Sequence, residues 1–101
     1  MTNGEFAFEA VHGDDVHVVS VHGELDLANA DRLRDALVEI AGSTVVVDLS
    51  DLAFCDSSGL AAIVGARNRI MASGNTFELR GAVGVVRRTL ELTGLGGLLV
   101  D

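Results

Sequence analysis

The sequence has no proline, no tryptophan, no tyrosine and no lysine, and one cysteine, Cys55. Each absence excludes something. One cysteine cannot close an intramolecular disulfide, and no Cys/His spacing in the chain has the pattern of a zinc site, so neither staple is expected. With four Phe as the only aromatics, core volume must come from Val, Leu, Ile and Ala. Apolar residues still make up 49% of the 101, enough for one domain with one core, and a single domain over residues 1–101 is expected. Seven Arg face fifteen acids, for a net charge of −8. That balance repels nucleic acid, whose binding needs neutralised phosphates, and disfavours an anionic membrane surface. It serves chiefly to keep the domain in solution, and would speed the approach of a partner with a basic patch. The opening MTNGEFAFEA lacks the basic and apolar regions of a signal peptide. No apolar run reaches the length of a membrane span. The expectation is a cytoplasmic domain without linker, repeat or low-complexity segment.

What is present is patterned. EFAFEAV (residues 5–11) and VHVVSVH (residues 16–22) are β-rich and joined by HGDD, the signature of an antiparallel hairpin. ANADRLRDALVEIA (residues 28–41) changes period: Ala30, Leu33, Leu37 and Ile40 recur every three or four positions, which predicts an amphipathic helix stopped by Gly42. TVVVDLS (residues 44–50) predicts a buried strand. GLAAIVGARNRIMA (residues 59–72) predicts a second helix with Leu60, Ile63, Val64 and Ile70 inward. TFELR (residues 76–80) alternates like a strand with one wet face. VGVVRRTLELTG (residues 83–94) predicts a third helix with Gly94 past its end, and LLV (residues 98–100) a last short strand. Strands separated by single helices imply an α/β fold: a mixed, mainly parallel sheet with the hairpin at its start and helices chiefly on one face.

DLAFCDSSGLAAIVG (residues 51–65) places Asp56, Ser57 and Ser58 where a strand gives way to a helix. Ligands and modifications favour that edge of α/β sheets. The first amides of a helix lack partners and can hold a phosphate. Equally, Ser is a favoured N-cap, and Asp56 could fill that role instead; Gly59 could simply allow helix and strand to approach. DSSG alone is a weak motif. A catalytic serine is less favoured: it needs a base and an oxyanion hole, there is no Gly-x-Ser-x-Gly elbow, and His12, His17 and His22 all lie in the hairpin. Cys55 beside Asp56 is expected to be a buried hydrophobe rather than a reactive thiol. No catalytic, cofactor or metal residues are assigned.

VVVDLSDLAFCDSSGLAAIVGA, VHGELDLANADRL and VRRTLELTGL, in register across almost the whole chain, resemble the three characteristic stretches of the STAS domain, and within it the bacterial anti-sigma factor antagonists. The resemblance implies a regulator with no catalysis of its own. It implies binding to an anti-sigma factor that is also a serine kinase, so that a sigma factor is released. It implies inactivation when that kinase, using its own ATP, phosphorylates the first hydroxyl after the motif acid, here Ser57, and reset by a serine phosphatase. Asp26, Asp56, Ser57, Ser58 and Gly59 are the implied partner-facing residues. The alternative is a STAS subunit of a larger assembly, such as a lipid-transport complex or a stress-signalling scaffold; a serine-dependent enzyme ranks third.

Overall fold

The computed structural model describes residues 5–40 and 44–100. The hairpin forms as the turn chemistry dictates: β1 (Ala7–His12) pairs antiparallel with β2 (Val16–Leu25), and the Gly13 N–H donates to Val16 O at 2.9 Å to close the turn. Then follow α1 (Ala30–Glu39), β3 (Thr44–Cys55), α2 (Ser57–Ala72), β4 (Phe77–Arg80), α3 (Gly84–Leu92) and a 3₁₀ turn at Gly96–Leu98. The four strands are ordered β1-β2-β3-β4, with β2-β3 and β3-β4 parallel. Gly42, the expected stop of α1, lies outside the described residues.

Register decides which face is covered. Val19 pairs with Val47, and Val47 with Leu79; all three are buried, as are Val21, Val45, Leu49 and Phe77 on the same side. The alternate row runs from Ser20 to Asp48 to Arg80, half-buried to exposed. Helices therefore cover one side of the sheet, and the polar face of β4 is the wet one. The core joins these strand residues to Leu33 and Leu37 of α1, Leu60, Ile63, Ala66 and Ile70 of α2, and Val86 and Leu90 of α3. Burying a side chain of this size stabilises the fold by roughly 1.5–3 kcal/mol, so aliphatics supply the volume that the missing aromatics do not. On the wet face the Asp48 carboxyl is held below the usual carboxylate range, first by the Ser50 hydroxyl and amide, then by Arg80 and His22.

The turns that follow α2 and α3 each carry a left-handed glycine. In α2 the Gly74 N–H donates to Met71 O (3.0 Å) and Asn75 N–H to Ile70 O (3.2 Å); in α3 the Gly94 N–H donates to Glu91 O (3.2 Å) and Leu95 N–H to Leu90 O (2.7 Å). With φ of +88° and +80°, these are two Schellman ends that satisfy the last carbonyls.

Several sequence expectations need correction. β3 does not stop at Ser50 but runs to Cys55, and β2 runs beyond His22 to Leu25. The extension pairs His22 with Asp51, Gly23 with Leu52, Glu24 with Phe54 and Leu25 with Cys55, with register shifts between Ser20 and His22 and between Gly23 and Glu24. Such irregularities break the two-residue alternation by which a strand is recognised. α2 starts at Ser57, before Gly59, and α1 only at Ala30, because residues 26–29 form a turn of their own. Val64 and Ile40 are half-buried rather than fully inward. The last strand is reduced to one bridge, Leu79 with Leu99, where the Val100 N–H donates to Leu79 O at 2.8 Å. The Gly96–Gly97 pair lets the chain wind into the 3₁₀ turn instead.

Candidate functional site

The ends of the two extended strands are paired neighbours, which puts Asp26 beside the Asp56–Ser57 junction as the resemblance implies. Leu25 ends β2 and Cys55 ends β3, both fully buried and in register. Asp26 and Asp56 follow them directly, and the Asp56 N–H donates to Leu25 O at 3.1 Å. Two loops, β2-α1 and β3-α2, are thereby tied together at the carboxyl edge of the parallel strands.

Of the two capping alternatives, the acid takes the role. Asp56 is the N-cap of α2: its Oδ1 accepts the Gly59 N–H at 2.9 Å, and its carbonyl accepts the Leu60 N–H at 3.0 Å. The serines are therefore not needed to hold the helix end. Ser57 is exposed at the first helical position and Ser58 half-buried at the second. Among the described residues neither backbone amide has a protein acceptor, so two donors and the positive end of the helix dipole face outward beside the Ser57 hydroxyl. Gly59 fixes how close this end comes to the sheet. A Cβ there would lie 2.8 Å from both Cys55 Sγ and Leu25 Cγ.

Asp26 does structural work as well. Its Oδ1 accepts the Ala28 N–H at 3.0 Å, and its carbonyl accepts the amides of Asn29 (3.1 Å) and Ala30 (2.9 Å). Asn29 answers: its Oδ1 accepts the Asp26 N–H at 2.9 Å and its Nδ2 donates to Glu24 O at 3.0 Å. Asn29, not Asp26, is the N-cap residue of α1. The turn thrusts Leu27 outward, 79% exposed. A groove of about 240 Å³ runs from Leu27 between α1 and α2, walled by Ala30, Arg34, Ser58 and Ala61. Sequence reasoning missed Asn29, Leu27 and Arg34. The Asp-x-x-Asn spacing signalled the first; an unpaired Leu between an acid and a helix start signalled the second.

Cys55 is 2% exposed, and its thiol is pushed up to about 12, by burial first and then by the Asp56 carboxylate. It is accordingly expected to resist iodoacetamide in the native protein near pH 8 and to label fully once unfolded in guanidinium. Mass spectrometry reads both, and rapid native labelling would contradict the packing. None of the three histidines hydrogen-bonds to Ser57 or Ser58: His22 is engaged by Glu9 (2.7 Å) and Asp51 (3.4 Å), and His12 by His17. Among the described residues no group of three His, Cys, Asp or Glu could hold a metal ion, and no helix is long and apolar enough to cross a membrane.

The arrangement of acid cap, exposed serine and close-packed glycine at the carboxyl edge can be set beside known proteins. A family model described as "Mlab, STAS domain" matches residues 9–101. The chain belongs to the STAS-domain family. Its relatives include the anti-sigma-B factor antagonist of Bacillus subtilis (strain 168), 30% identical over 83 residues that cover 80% of this chain and 76% of that one. This STAS domain also superposes on the anti-sigma factor antagonist SpoIIAA in its unphosphorylated form with a TM-score of 0.79, at 26% identity, covering 94% of this chain and 87% of that one. On the phosphorylated form of SpoIIAA, the Bacillus cell fate determinant, the TM-score is 0.71 at 25% identity, covering 94% and 90%. The STAS domain thus fits the anti-sigma factor antagonists in sequence and in fold.

Proposed function

We propose that this chain is an anti-sigma factor antagonist: it binds an anti-sigma factor that is also a serine kinase, and phosphorylation of Ser57 ends the binding. The observation that carries the reading is the Ser57 hydroxyl itself. It is exposed, released from capping by Asp56, and flanked by two unpaired amides. A phosphate there adds about −1.5 to −2 charges, which the free amides can accept without unfolding the domain. A partner surface fitted to a neutral hydroxyl would then face a desolvated dianion beside Asp56. Burying an unpaired charge costs on the order of 3 kcal/mol or more, about two decades in affinity. One modification switches binding without rebuilding the fold. ATP is consumed by the partner, a serine phosphatase resets Ser57, and the effect on transcription runs through protein contacts, not DNA.

Capture of partners from native lysate, with and without ATP, tests the reading. A kinase-type anti-sigma factor retained without ATP and released with it is the expected result; its absence from the captured proteins contradicts it. The name Mlab carried by the matching family favours a second reading, a subunit of a larger assembly, which the same capture identifies by a multi-protein complex indifferent to ATP.

Asp26 contributes charge to this surface. Asp26→Asn keeps an oxygen for the Ala28 amide, so the melt is expected within about 1 kcal/mol of wild type while partner affinity or phosphorylation rate falls several-fold. A variant that binds and is phosphorylated like wild type would leave Asp26 a turn residue only.

A further inference from the structure

The last pair of the hairpin before its turn is His12 with His17, and their Nδ1 atoms lie 2.9 Å apart, the rings tilted at 68°. We propose that these two nitrogens form a binding site for a divalent transition-metal ion of the imidazole-preferring class: Cu²⁺, Ni²⁺ or Zn²⁺. Metal–nitrogen bonds of about 2.0–2.1 Å set neighbouring ligands roughly 2.9–3.4 Å apart across octahedral to tetrahedral angles, so this hydrogen-bonded pair already stands at the short end of the spacing that two ligands on one ion adopt. As the pair stands, one Nδ1–H donates to the other Nδ1. To take the ion, the donor ring moves its proton to Nε2, and both lone pairs turn to the metal; no net proton is lost.

The hairpin pre-sets the geometry. Cross-strand register places the two residues opposite each other, and the Gly13–Val16 bond holds the turn behind them. Both rings line a cavity of about 420 Å³ between the hairpin and α1, with Phe8, Val19, Leu37 and Glu39 among its walls. That space leaves room for water or a small anionic ligand on the ion's remaining positions. Among the described residues no third protein ligand completes a cage, so the site is open and two-coordinate from the protein. His22 is built differently: its Nε2 and Nδ1 face two separate carboxylates on opposite edges of the ring, so these groups cannot converge on one ion. Occupancy would tie β1 to β2 and favour the folded state by mass action.

Calorimetric titration of the tag-free chain with Cu²⁺, Ni²⁺, Zn²⁺ and Mg²⁺ near neutral pH tests the site. Saturable uptake of one ion per chain is expected, tightest for Cu²⁺ and undetectable for Mg²⁺. His12→Gln and His17→Gln should each weaken binding by at least about 10-fold, and His22→Gln should leave it unchanged. Thermal melts should rise with Zn²⁺ or Ni²⁺ in wild type and His22→Gln but not in the other two variants. Absence of saturable uptake, or uptake that survives His12→Gln combined with His17→Gln, overturns the proposal.

Discussion

Ser57→Asp and Ser57→Glu are expected to abolish or severely weaken binding to the anti-sigma partner, by about two decades or more, while leaving the fold intact. The two effects separate because the site has two neighbours. Toward the protein, Ser57 stands at the first turn of α2 beside unpaired amides. An added carboxylate there is tolerated and stabilises the helix by up to about 1 kcal/mol. Toward the partner, in the proposed complex, the same carboxylate would be desolvated next to Asp56. A carboxylate carries less charge than a phosphate, so the mimic is expected to be weaker than the modification itself. A thermal melt run alongside a titration with the partner reads both. A variant that melts normally and binds like wild type would remove charge at Ser57 as the switch. One that fails to bind only because it has unfolded would make Ser57 a structural residue.

Gly59→Ala is expected to destabilise the domain by about 1–3 kcal/mol, a fall in melting temperature of roughly 4–8 °C per kcal/mol for a chain this size. Helix propensity alone predicts the opposite, since Ala exceeds Gly by about 1 kcal/mol within a helix. Packing wins at this position: the new methyl would lie 2.8 Å from Cys55 Sγ and Leu25 Cγ, and both neighbours are buried at strand ends, so they must shift within the core to admit it. Gly65, in the same helix, supplies the control. A Cβ there meets only Arg34 Cδ at 3.8 Å, so Gly65→Ala should hold or raise the melting temperature. Paired melts of the two variants check the argument; equal effects would mean that Gly59 is not fixing the helix against the sheet. Because that contact holds the first turn of α2, which carries Ser57, against the sheet, Gly59→Ala should also weaken partner binding beyond what its lost stability explains.

Features encoded by local pattern were legible in the sequence. The HGDD turn, the three-and-four spacing of Ala30, Leu33 and Leu37, the alternation of Phe77 and Leu79, and Gly94 as a helix stop all acted over a few residues, and the structure has each of them. So was the position of the Asp56–Gly59 junction at a strand-to-helix edge. What was hidden depends on partners distant in sequence. β3 continues through Asp51–Cys55 only because the far end of β2 offers a mate, and the shifts in register erase the alternation. The choice of Asp56 over Ser57 as cap goes with the anchoring of Asp56 N–H on Leu25 O, a contact between segments distant in sequence. The His12–His17 contact likewise appears only once the hairpin register is fixed. The final Leu98–Val100 strand failed for a local reason: the preceding glycines favour a turn, and one bridge to Leu79 is all that remains.

The central claim is that one hydroxyl of the Ser-Ser pair carries the switch, and peptide mass mapping after incubation with the purified partner kinase and ATP tests it most directly. The account predicts a single phosphate on Ser57, none on Ser58, and none at all in Ser57→Ala, which should still bind the partner but no longer respond to ATP. Phosphate mapped to Ser58 or Thr44, or release of Ser57→Ala by ATP, would contradict it.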